Sequence, residues 1–139
     1  MPTIYRSMLN EGGQPQVGAE ANMLGARIEG ATQDIPVSHN GMVQPNTGGM
    51  SVSPTWREMP YFLVPKRLID KFPAARGKNS LSIWKMGEGP FQAGSVAAGL
   101  TLQPDSPTHG NVEPDQTMPV NDYQQHLANT CQSWVIDEN

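Results

Sequence analysis

Six polar residues stand in pairs beside runs that read as short strands: Tyr5 and Arg6 near the start, Ser51 and Ser53 in the middle, His109 and Glu113 near the end. Together they supply a guanidinium, hydroxyls, an imidazole and a carboxylate, groups with which a protein holds an anionic or hydroxylated ligand. Ser51 and Ser53 are two residues apart, so on a strand they face the same side; Tyr5 and Arg6 are adjacent and face opposite sides. Gly48 and Gly49, in the turn Asn46-Thr47-Gly48-Gly49, leave room for a ligand to approach the backbone. Familiar local signatures are missing. Gly77-Lys78 lacks the earlier glycine of a phosphate loop, because Phe72 stands there, and no Gly-x-Ser-x-Gly, His-Glu-x-x-His or Asp-rich calcium loop occurs. The single Cys131 and three scattered histidines give no zinc spacing, so no metal ligand is assigned; Cys131 reads as a small buried hydrophobe.

Composition limits the elements that can position these groups. The chain has 139 residues, 14 glycines and 13 prolines, an excess that excludes a helical bundle and predicts turns, short strands and ordered loops. Its length fits one domain over residues 1–139, and 37% hydrophobic residues with a net charge of −4 set it apart from disordered chains. A pI near 5.2 removes the footprint of a general nucleic-acid binder. No apolar run is long enough to span a membrane and the first residues lack a signal-peptide pattern, so a cytoplasmic protein, or one exported by a signal-free route, is expected.

The pattern predicts strands at Thr3–Leu9, Leu81–Met86, Leu100–Pro104 and His109–Pro114, and a short one between Gly49 and Pro54. Residues 14–40 read as loop with at most one short helix through Ala21, Leu24 and Ile28. Met59–Pro65 reads as extended because residues before proline avoid the helical region, and Pro65–Phe72 as a helical turn. Tyr123, Leu127, Cys131 and Trp134 give one apolar helical face, with Asn121 or Asp122 as cap. Lys66, Arg67, Lys71, Arg76 and Lys78 form the one local basic cluster, read as a solvated face or as a surface toward a phosphate-rich target.

In order, Ile4-Tyr5-Arg6, the block Gly41–Val52, Gly77-Lys78 ahead of Trp84, Thr108–Pro114 with Met118, and Asn121-Asp122-Tyr123-Gln124 resemble the ADP-ribosyltransferase-like bacterial toxins related to type VI secretion exported effector 2. The resemblance spans almost the whole chain. It implies a compact α+β fold, loop-rich, with two small sheets flanking a cleft, a C-terminal helix, and nicotinamide adenine dinucleotide (NAD) as substrate. ADP-ribose would pass to an intracellular acceptor or to water. Arg6, with Tyr5 beside it, would grip the dinucleotide, Gly48, Gly49, Ser51 and Ser53 would line the ribose, and His109 with Glu113 would serve the reacting end. The Glu-x-Glu pair of the familiar transferases is missing, which leaves Glu113 as the acid by position only. The resemblance also implies a neutralising immunity protein, which Trp56, Tyr61 or Phe62 could contact. A non-enzymatic binding module on the same fold is the alternative.

Overall fold

Along the first strand, Ile4, Arg6 and Met8 alternate with Tyr5, Ser7 and Leu9, and both sets of side chains find a core to pack against. In this computed structural model, which describes residues 1–139, the chain runs β1 (Ile4–Glu11), β2 (Gln14–Pro15), β3 (Met42–Val43), β4 (Met50–Val52), β5 (Leu81–Met86), β6 (Gly94–Ala97), β7 (Leu100–Ser106), β8 (His109–Pro114), β9 (Met118–Pro119), α1 (Val120–Ala128) and β10 (Val135–Ile136). These make two four-stranded antiparallel sheets, in the orders β10-β5-β1-β2 and β4-β8-β7-β6, and a two-stranded β3-β9 ribbon. The result is a compact α+β fold with one helix near its C-terminal end.

Ile4, Met8, Trp84 and Met86 on one face of the first sheet join Met50, Val52, Leu102, Val112, Tyr123 and Leu127 in the larger core. Ile83 on the opposite face joins Trp56, Met59, Val64, Leu68 and Ala75 in a smaller one, with Tyr5 packed at its edge. A sheet covered on both faces needs apolar residues at both parities, and β5, Leu-Ser-Ile-Trp-Lys-Met, has them. The two large sheets meet where Tyr5 and Ser53 exchange backbone hydrogen bonds of 2.8 and 3.0 Å. That single bridge is the seam of the molecule.

Several local expectations change. Residues 14–40 hold no helix: Gly25 packs against the Gly18 carbonyl where a Cβ would collide, and Leu24 enters the core from an irregular loop. Tyr61–Leu63 is a 3-10 turn rather than extended chain. The proline rule acts only on Met59 and Val64, which are extended, and leaves Tyr61–Leu63 free to coil. The helix begins after Pro119 with no side-chain cap, so neither Asn121 nor Asp122 caps it. It ends at Ala128, and Trp134 returns to the core from beyond a 3-10 turn, its indole N–H donating to the Thr130 hydroxyl at 2.9 Å. Cys131 is half-buried against that core.

The basic cluster is partly spent inside the protein. Arg67 grips both oxygens of Glu138 at 2.6 Å, and Lys71 donates to the Glu138 carbonyl. Burial raises the Glu138 carboxyl, but Arg67 and the Ile83 N–H more than offset it and hold it below the usual carboxylate range. A depressed carboxyl adds stability above its unfolded pKa, about 4.3, and loses it as pH falls through the folded value. Thermal melts of Glu138→Gln should therefore show a smaller loss of stability on acidification below pH ~4.3 than the parent protein; equal losses would remove Glu138 from the account.

Tyr123 fastens the helix to the second sheet. Fully buried, its hydroxyl donates to the Val112 carbonyl at 2.6 Å and accepts the Met50 N–H at 3.1 Å, and burial pushes its pKa up, keeping it neutral. Tyr123→Phe should cost about 1–3 kcal/mol in urea denaturation, because a buried donor and acceptor lose their partner. A cost under ~0.5 kcal/mol would contradict that role.

Candidate functional site

The seam between the two large sheets opens into a cleft of about 510 Å³, within the range of small-molecule sites. Tyr5, Arg6 and Ser7 of β1 form one wall, and Ser51, Val52 and Ser53 form the other. The rim carries Arg27 from the long loop, Phe62 from the 3-10 turn, Lys78 from the loop before β5 and His109 from the start of β8. No carboxylate lines it.

Arg6 shares the core-facing parity of Ile4 and Met8, so its guanidinium enters a region where charge is costly. Its Nε and Nη2 donate to the Met23 carbonyl at 3.2 and 2.9 Å, and its Nη1 to the Ser51 carbonyl at 2.8 Å. Three of the five N–H groups are thereby used, leaving one on each terminal nitrogen. Arg6 has no ion pair; the arginines paired with carboxylates are Arg27, with Asp34 at 3.0 Å, and Arg67. Burial, opposed in part by the charge of Asp34 and reinforced by repulsion from Arg27, pulls the Arg6 pKa down to about 10, so it keeps its charge at neutral pH. Lys78, exposed on the rim, has no ion pair either.

Five residues singled out by sequence therefore share this cleft: Tyr5, Arg6, Ser51, Ser53 and His109. Tyr5 lines it together with Arg6 despite the opposite parity, because the seam is open to both faces of β1; its hydroxyl donates to Asp137 Oδ2 at 3.0 Å. His109 Nδ1 lies 2.7 Å from Asp105 Oδ1.

Three others lie off the cleft. Glu113 is 4% exposed on β8, its Oε1 accepting the Asn46 N–H at 2.8 Å. Burial is the main cause that pushes its carboxyl above the usual range. Gly48 and Gly49 make close approaches of another kind: a Cβ on either would run into the carbonyl of Asp34 or Val112. Those glycines make room for the protein's own backbone. Lys78, singled out by sequence as part of the basic cluster, also reaches the cleft, whereas Arg27 on the rim and Met23, whose carbonyl holds Arg6, are residues that local pattern did not reveal.

The fold and cleft match the class expected from the ordered blocks of sequence. Residues 3–138 match the family described as Tse2 ADP-ribosyltransferase toxin, and the chain belongs to that family. No curated protein matches it significantly. The chain has no group of three or more His, Cys, Asp or Glu that could hold a metal ion, and no helix long and apolar enough to cross a membrane.

Glu113 provides a test of the site boundary. Its folded pKa is raised, so its ionisation opposes folding increasingly as pH rises from the unfolded value, about 4.3, through the folded one. Glu113→Gln keeps an acceptor for Asn46 and should raise the melting temperature at pH 7, with the gain gone below pH ~4. Toxicity on expression should be unchanged; its loss in a folded Glu113→Gln protein would return the carboxylate to the active site.

Proposed function

We propose that this protein binds NAD in the seam cleft, cleaves the bond between nicotinamide and its ribose, and transfers ADP-ribose to an intracellular acceptor or to water. The observation that carries the reading is Arg6, a guanidinium sunk at the cleft wall with no carboxylate partner and two N–H groups unspent. A buried charge is normally paired, and the planar fork of arginine suits a diphosphate. Lys78 on the rim, without an ion pair, extends the cationic surface in a chain whose net charge is −4. Membership of an ADP-ribosyltransferase toxin family supports NAD as the dinucleotide.

Within this reading Arg6 holds the diphosphate, and the Ser51 and Ser53 hydroxyls, two residues apart on the opposite wall, meet the ribose. Breaking the glycosidic bond builds positive charge on that ribose. The cleft offers hydroxyl and carbonyl oxygens to it, where the familiar transferases use a glutamate. Lack of a lining carboxylate favours one second reading, a binding module that keeps the fold without turnover. The neutralising immunity protein sits over the cleft mouth, against Tyr61 and Phe62, each 57% exposed and packed edge to face at 5.7 Å. Trp56, buried in the smaller core, is unavailable to it.

Ser51→Ala should leave stability within about 0.5 kcal/mol of the parent, and Arg6→Lys, which keeps charge but loses the fork, should weaken NAD binding at least about tenfold. Both should relieve toxicity on bacterial expression while remaining folded by circular dichroism. Undiminished toxicity in both would sink the site assignment. NAD binding without consumption would favour the binding module.

A further inference from the structure

We infer that His109, oriented by Asp105, takes the proton from the attacking nucleophile in this cleft; the inference rests on the NAD-cleaving reading above. Asp105 and His109 flank the turn between β7 and β8, with His109 Nδ1 2.7 Å from Asp105 Oδ1. An ionised carboxylate only accepts, so Nδ1 carries the hydrogen and Nε2 presents a lone pair. His109 lines the cleft and Asp105 does not, which places the carboxylate behind the ring as a positioning residue.

The other lining groups are poor bases. Arg6, Arg27 and Lys78 are cations, and the Tyr5 hydroxyl already donates to Asp137. Serine hydroxyls do not take protons near neutrality, and Glu113, the carboxylate sought from sequence, is turned to Asn46. Imidazole is the side chain suited to proton transfer at that pH, and His109 is the one on these walls. The charged groups sharing its surroundings are Asp105 on its own hairpin, Glu113 further along β8, Arg6 on β1, Arg27 in the long loop and Lys78 before β5.

The inference fixes the acceptor class as a neutral nucleophile that sheds a proton, since an anionic nucleophile needs no base; water or another O–H group is one such nucleophile. Its oxygen lone pair forms the new bond to C1′ of the ribose. The C1′–N bond breaks, and its electron pair neutralises the pyridinium nitrogen and releases nicotinamide. The nucleophile's proton passes to His109 Nε2, the imidazolium rests against Asp105, and the proton then leaves to solvent. With water as acceptor, NAD⁺ and water give ADP-ribose, nicotinamide and one proton.

Nicotinamide release from NAD by the purified full chain, with water as acceptor, tests this. His109→Ala should lower kcat about 10²–10⁴-fold with little change in KM, and added imidazole should restore a substantial part. Asp105→Asn should lower kcat by about tenfold at constant KM, with Asp105→Glu recovering part of the loss. If His109→Ala melts early, His109→Gln should give the same kcat loss in a folded protein. Turnover by the parent together with unchanged kcat in the histidine variants, or with no imidazole rescue, overturns this inference alone. No nicotinamide release by the parent, either in water or with bacterial lysate added to supply an intracellular acceptor, overturns it together with the NAD-cleaving reading.

Discussion

Arg6 joins three parts of the chain that are far apart in sequence. From β1 it reaches the Met23 carbonyl of the long loop and the Ser51 carbonyl of β4, so one guanidinium holds loop, first sheet and second sheet together. The Tyr5–Ser53 bridge beside it is the backbone contact that joins the sheets, and the cleft opens where the two interactions meet. Carbonyl oxygens satisfy N–H groups without cancelling charge, so the clamp leaves a positive site at the cleft wall. Burial lowers the Arg6 pKa to about 10 but does not neutralise it.

Stability and function therefore draw on the same side chain. A hydrophobic residue at position 6 would suit the core-facing parity of β1 and would remove both the clamp and the charge. The Tyr123 hydroxyl, sharing itself between Val112 and Met50, fixes β4 against β8 and so fixes the carbonyl that Arg6 needs. Behind the opposite face of β1, the smaller core and the Glu138 contacts hold the segment from Trp56 to Ala75, which carries Phe62 to the rim. The cleft is as rigid as these supports. Gly48 and Gly49, off the cleft, serve these supports too, by admitting Asp34 and Val112 close to the turn.

Much of this was legible in the sequence where local pattern is strong. Leu81–Met86 and His109–Pro114 form strands with the expected bounds, because alternation and flanking turns agree with the tertiary fold. The family was readable from ordered short blocks, and residues 3–138 match it. What pattern could not supply was pairing imposed from a distance. β9 and β10 are two residues each, and Val135 and Ile136 of β10 are both exposed, so no alternation marks them. Glu113 lies on a correctly expected strand and shares the parity of His109, yet its contact with the Asn46 N–H decides where its carboxylate goes. Met23 left no mark because a main-chain carbonyl has no residue signature. Arg27 is set by its pairing with Asp34 across a loop that reads as featureless.

The central claim is that the unpaired guanidinium of Arg6 is the anchor for a diphosphate. A crystal structure of the full chain with ADP-ribose, the product of transfer to water and the part of NAD that carries the diphosphate, tests it directly. The account predicts the diphosphate within hydrogen-bonding distance of the two unspent Arg6 N–H groups, with the Met23 and Ser51 contacts kept. A diphosphate bound elsewhere, with Arg6 engaged only by those two carbonyls, would contradict it.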